Sequence, residues 1–218
     1  SFADNPFSLR PLPSEHNPDG FFQRARYTQN HPDTIAFARE LRAVVDEFTA
    51  PPRFVVGEVF GPTDLLREYC GAEGQGLNLV FLFKSLRTPL TAPALRELVQ
   101  EFERAFPEPL FPTYVFGNHD RPRGMERLGN DPAKARMLAA FQLTVRGVPF
   151  LYYGEEIGLG LAAPVSNADQ SIRGPMSWSG ERNAGFTTAE KPFRANVANW
   201  RTANVAAQTA DSNSLLNW

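Results

Sequence analysis

The chain has 218 residues, 42 % of them hydrophobic and 21 % charged, with 22 Lys+Arg against 24 Asp+Glu and a formal charge of −2. That composition excludes a disordered or fibrous protein and leaves enough length for a substantial core. The near-neutral balance, with basic residues scattered rather than gathered into an arm or stripe, excludes a dedicated nucleic-acid binder.

Residues 1–30 carry Pro6, Pro11, Pro13 and Pro18 and show no steady period, so they read as loop. A helix is predicted over 32–49. Pro32 and Asp33 suit its first turn, and Ile35, Ala38, Leu41, Val45 and Phe48 form one apolar face. After Pro51–Pro52, residues 53–59 (RFVVGEV) read as a buried strand. The alternation then repeats. A short helix begins at Thr63, with Leu65, Leu66 and Tyr69 inward, and residues 78–83 (NLVFLF) form a second strand. A helix with Leu95, Leu98, Phe102 and Ala105 on one side leads to a third strand, 112–117 (PTYVFG). Asp131–Pro132 is a cap followed by proline at the first helical position, and that helix carries Leu138, Phe141 and Val145. Residues 148–153 (VPFLYY) form a fourth strand. Beyond Tyr153 the pattern dissolves into Gly, Asn, Ala and Ser, with no predicted helix.

Strands alternating with amphipathic helices mean βαβ units and a parallel sheet. Spacings from Phe54 to Leu79, Tyr114 and Val148 are 25, 35 and 34 residues. A (β/α)8 barrel at that pace takes about 250 residues. Four units therefore suggest half of a TIM barrel or a smaller open sheet. No glycine-rich loop follows a strand, so a dinucleotide or P-loop fold has no support. Cys70 is the lone cysteine, which excludes an internal disulfide, and His16, His31 and His119 lie too far apart for a helical zinc motif. No apolar run approaches the roughly 18–20 residues of a membrane helix. The chain opens on Ser1, so we expect a processed chain or a piece of something larger.

Glu58 ends the first predicted strand, and Asp120 ends the third after Asn118 and His119. Barrel active sites sit at the C-terminal ends of strands, where two carboxyls in different environments can act as acid and base. Position alone is a weak signal, since such residues are more often caps or surface groups.

The strings around these residues are more specific. GEVFG at Glu58, FGNHDRPR at Asp120 and GVPFLYYGEEIGL at 147–159 resemble, in order and spacing, the α-amylase superfamily of retaining glycoside hydrolases. RGPMSW (173–178), NAGFT (183–187) and NSLLN (213–217), with ADNP (3–6) and the stretch before FARELR (37–42), look like its α-glucosidase and oligo-1,6-glucosidase branch. The resemblance implies that Glu58 is the general acid/base and that Asp120 holds the sugar's 2- and 3-hydroxyls and stabilises the oxocarbenium-like transition state. It implies that His119 binds a hydroxyl and that Arg123, with Arg121 as rival, reaches the same sugar. The alternative for His119, less favoured given the motif, is that it satisfies buried backbone groups. Glu155 and Glu156 read as barrel-mouth scaffolding that bonds backbone. Phe60, Tyr152 and Trp178 could stack on sugars, and Cys70 reads as a small buried hydrophobe.

The family's nucleophile, an Asp in a GxRxD string, has no match among the nine aspartates. A retaining mechanism needs two carboxyls about 5–5.5 Å apart. The expectation is therefore the second half of a catalytic barrel, about strands 5–8. Residues 1–30 would be the loop after the missing fourth strand, 31–160 four βα units, and 161–218 a loop-rich mouth leading toward a missing C-terminal β-domain. The substrate would be a short α-glucoside of the maltose, isomaltose or sucrose type, with no nucleic acid or membrane partner. The isolated chain is expected to be inactive, and the missing half is a possible partner. No cofactor is required, though calcium is possible in the missing part of the parent. The absence of disulfides and N-x-S/T acceptors is compatible with a cytoplasmic location. Alternatives are a sucrose isomerase or transglucosylase, a non-catalytic barrel like transporter heavy-chain ectodomains, and a self-associating half-barrel.

Overall fold

The structure is a computed structural model and describes residues 6–7, 26–27, 29–162 and 171–218. Nearly all of the predicted N-terminal loop lies outside the described residues. The elements run α1 Pro32–Asp46, β1 Val56–Gly57, α2 Thr63–Cys70, β2 Leu79–Val80, α3 Lys84–Arg87, α4 Ala92–Ala105, β3 Thr113–Val115, α5 Gly124–Arg127, α6 Pro132–Thr144, β4 Val148–Phe150 and α7 Val205–Ala210; the predicted strands and helices occur in order, with α3, α5 and α7 in addition. Two 3-10 turns, Glu155–Ile157 and Arg182–Gly185, lie between β4 and α7. The chain divides into two compact units, Ser1–Phe83 with Gln100–Thr113 and Lys84–Val99 with Tyr114–Trp218.

In the first unit, β1 and β2 pair in parallel, with Val56 opposite Leu79 and Gly57 opposite Val80. The strands are much shorter than predicted because side chains take over ladder bonds at their ends. Asn78 Oδ1 accepts the Val55 N–H at 2.9 Å. At Gly57 a Cβ would run into Leu77 Cδ1, so a side chain here requires Leu77 to shift. Helix α2 packs on β2 and buries Leu66, Tyr69 and Cys70. Burial pushes the Cys70 thiol up to about 12, with the Arg42 charge opposing that rise, so it is inert, as a buried hydrophobe should be. Helix α1 starts at Pro32 as predicted and is capped by His31, whose side chain accepts the Asp33 N–H. It packs against α2 and buries Ala38; of the rest of its predicted apolar face, Ile35 and Val45 are half-buried, and Leu41 and Phe48 are exposed.

Among the described residues the sheets are two separate pairs, β1–β2 and β3–β4, and no closed barrel is present. Two buried hydroxyls explain why the ladder stops. Thr113 Oγ1 donates to Val80 O at 2.7 Å and accepts from Leu82 N at 3.0 Å. In the second unit Ser85 Oγ donates to Val115 O at 2.7 Å and accepts from Val115 N at 3.1 Å. Each hydroxyl satisfies backbone groups that a neighbouring strand would otherwise take. The second unit also joins β3 to β4 through buried Gln142 of α6, whose amide donates to Tyr114 O and Phe150 O. Asp131 caps α6 as predicted, accepting from Ala133 N and Lys134 N. Past Tyr153 the sequence showed no helix, yet α7 forms there, capped by Asn204, and packs with Trp200 and Leu216 against Ile157, Leu159, Met176 and Val197.

The Thr113 hydroxyl yields a direct test. Thr113→Val keeps the shape but removes the hydroxyl that bonds Val80 O and the Leu82 N–H. The expected loss is about 2 kcal/mol. Urea unfolding should show a lower midpoint at unchanged slope.

Candidate active site

Glu58 belongs to the first unit, where it directly follows β1 and is exposed. The register of β1 against β2 and the close approach of Leu77 to Gly57 set its backbone. Phe60, two residues on, contacts Phe83 at 5.4 Å, and Phe83 stacks on Phe81 at 5.5 Å. Phe60 is thus an exposed ring at the end of a small aromatic row.

The other predicted residues belong to the second unit. After β3 the chain turns through Asn118, whose side-chain oxygen accepts the Asp120 N–H at 3.1 Å. This local bond fixes the turn that presents His119 and Asp120. Asp120 Oδ1 receives two cationic or polar neighbours: Arg173 Nη2 at 3.0 Å and His119 Nε2 at 3.3 Å. Arg173 Nε also donates to His119 O at 3.1 Å, so one guanidinium holds both the carboxylate and its backbone turn. The Asp120 side chain remains 54 % exposed, leaving its second oxygen side open to a ligand. Sequence reasoning quoted the string that begins at Arg173 but did not single that arginine out, since 53 positions separate it from Asp120.

Arg123 sits differently. It is 1 % exposed, donates from Nη1 to Tyr153 O at 2.7 Å, and lies over the rings of Tyr152 and Tyr153 at 4.7 and 4.6 Å. Two aromatic faces and one carbonyl thus hold the charge away from water. Its neighbour Arg121 is exposed.

Glu155 underlies this arrangement. It bonds backbone, as the sequence suggested: Oε2 accepts the Tyr152 N–H at 2.9 Å. Its Oε1 occupies the space where a Cβ on Gly117 would stand, one residue before Asn118. Burial pushes the Glu155 carboxyl up to about 7; the Tyr152 N–H and the charges of Arg123 and Arg127 oppose the rise, while Glu156 adds to it. The folded state therefore binds this proton more tightly than the unfolded chain. The sign follows: Glu155 contributes most stability below the ordinary carboxylate range and loses it as pH rises toward 7. Glu155→Gln, which keeps an acceptor for Tyr152, should flatten this slope. The expected gain over the native chain is about 2 kcal/mol near pH 8, vanishing near pH 4. Unfolding midpoints measured across that range check it.

Among the described residues no cluster of His, Cys, Asp and Glu could hold a metal, and no helix is long and apolar enough to cross a membrane.

Residues 8–218 match the family model described as "Alpha amylase, catalytic domain". The chain is 28 % identical over 209 residues to an alpha-glucosidase of Apis mellifera, covering 88 % of this chain and 36 % of that protein. Among solved structures it resembles the alpha-glucosyl transfer enzyme XgtA, with a TM-score of 0.79 and 27 % identity, over 98 % of this chain and 43 % of the other. It also shares the fold of the isomaltulose synthase SmuA from Protaminobacter rubrum, with a TM-score of 0.72 and 22 % identity, over 85 % of this chain and 42 % of the other. The chain thus spans about two-fifths of the length of these relatives.

Proposed function

Because this chain belongs to the alpha-amylase catalytic-domain family of glycoside hydrolases, we propose that it forms part of a retaining enzyme acting on short α-glucosides. The observation that carries this reading is the cluster after β3, where Asp120 meets His119 and Arg173 and stays open on one side. A carboxylate presented in this way can take the vicinal hydroxyls of one glucosyl ring and stabilise positive charge developing at its anomeric carbon. His119 supplies a further hydroxyl contact. Arg123, buried against Tyr152 and Tyr153, serves the sugar site by holding those rings. Glu58 is the acid that protonates the leaving glycosidic oxygen and the base that then deprotonates water.

We place the nucleophile outside these 218 residues, since no aspartate here stands in the family's GxRxD string. The chain then corresponds to about strands 5–8 of the barrel, and the segment that carries the nucleophile is its functional partner. The chemistry requires no cofactor. A second reading, transfer of the glucosyl group to another hydroxyl instead of water, is favoured by the likeness to XgtA.

With p-nitrophenyl α-glucoside, these 218 residues alone should show background turnover. A protein that joins them to the nucleophile-bearing segment should be active, and Glu58→Gln in it should lower kcat about 100-fold or more. Activity that survives Glu58→Gln there, or turnover by the isolated chain that Glu58→Gln abolishes, refutes the assignment. Product analysis in the presence of an added alcohol separates hydrolysis from transfer.

A further inference from the structure

Glu58 is exposed, so the direction of its carboxyl depends on the backbone that carries it. That backbone is held on both sides. Before Glu58, Gly57 O accepts the Phe81 N–H at 3.0 Å. After it, Phe60 O accepts from Nδ2 of Asn30 at 2.8 Å. The two bonds differ in kind. The first continues the register of β1 against β2, whereas the second comes from a side chain 30 positions upstream, just before α1. All of these residues belong to the first unit.

Asn30 is itself fixed. Tyr69 of α2 is 3 % exposed, and its hydroxyl donates to Asn30 Oδ1 at 3.0 Å. Burial, and then the charge of Glu68, push the phenol's pKa up, so it keeps the proton it donates. An amide whose oxygen meets a donor turns its N–H groups the other way, here toward Phe60 O. The space fits the amide as well: a Cβ on Gly61 would stand 3.6 Å from Asn30 Nδ2 and 2.9 Å from Leu65 Cδ2. Asn30 holds a φ of 52°, a left-handed conformation that asparagine and glycine accept more readily than other residues. Further along, Thr63 Oγ1 donates to Glu101 Oε1 at 2.6 Å, which fastens the far end of the same loop.

We propose that Asn30 is a positioning residue for Glu58: its amide, oriented by Tyr69, pins the chain at Phe60 so that the Glu58 carboxyl is presented to the glycosidic oxygen. A single bond to a carbonyl of an exposed loop adds little to stability. Proton transfer is more demanding, because a misplacement of about 1 Å can cost about 100-fold in rate. The arrangement therefore serves geometry more than folding. The inference rests on the reading of Glu58 as the acid/base, and adds to it a residue that acts through the backbone.

The protein that joins these 218 residues to the nucleophile-bearing segment tests it with two substrates. Maltose loses a sugar oxygen that must be protonated as it departs, whereas α-glucosyl fluoride loses fluoride, which departs with little help from an acid. The ratio kcat/KM reports the steps up to that departure. Asn30→Gly removes the amide and suits the left-handed backbone. It should lower kcat/KM about 10-fold on maltose and less than about 2-fold on the fluoride. Asn30→Asp keeps an acceptor for Tyr69 but sets a carboxylate oxygen against Phe60 O, and should show the same contrast. Tyr69→Phe, which frees the amide to turn, should show a weaker one. Equal losses on both substrates mean a merely structural role and overturn the proposal. So does maltose turnover that is unchanged in Asn30→Gly or restored in Asn30→Asp. Glu58→Gln sets the benchmark, with a large loss on maltose and a smaller one on the fluoride. If Glu58→Gln spares maltose, the acid/base reading falls and this inference with it. If Glu58→Gln gives the contrast and Asn30→Gly does not, the role of Asn30 alone falls.

Discussion

The candidate chemistry in the second unit rests on one half-buried carboxyl, Glu155. Glu155 accepts the Tyr152 N–H and fills the notch left by the missing side chain of Gly117. Gly117 begins the approach to Asn118, His119 and Asp120. Tyr152 and its neighbour Tyr153 hold Arg123 between backbone and ring faces. A single acid therefore links the end of β4 to the turn after β3. It does so in surroundings that disfavour its charge, which is the usual cost of placing a carboxyl in a low-dielectric pocket. A larger residue at 117 would push Glu155 out, and with it the support beneath the turn.

A second constraint concerns Asp120 itself. Its partners are an arginine from a distant loop and the histidine beside it, both on the same oxygen. That leaves the carboxylate oriented yet accessible, the condition a substrate-holding group must meet. Glu58, in the first unit, is likewise exposed at the end of a parallel strand. The physical roles proposed for them draw on placement and chemistry within each unit.

The secondary structure was largely legible because short, continuous apolar runs alternate with stretches whose apolar residues recur every three or four positions, and because Asp131–Pro132 marks a helix start. The errors have local causes. Helix α1 shows a regular apolar stripe, but it packs mainly on α2, so Leu41, Val44 and Phe48 remain exposed. The strands shrink to two or three residues because Asn78, Ser85 and Thr113 replace ladder bonds with side-chain bonds. Helix α7 went unseen because it is short and its core contacts come from residues far away in the chain.

The sequence by itself determined the family and the order of the main elements, and singled out the carboxyls at Glu58 and Asp120 as candidates. These follow from short strings and local periodicity, which need no knowledge of what touches what. Tertiary structure alone decided that Arg173 meets Asp120, that Arg123 is buried between two tyrosines, and that four distant aromatic residues border one cavity. The first two of these contacts join residues 53 and 30 positions apart. A pattern read along the chain carries no term for such pairs, because their meeting depends on how the intervening loops fold back.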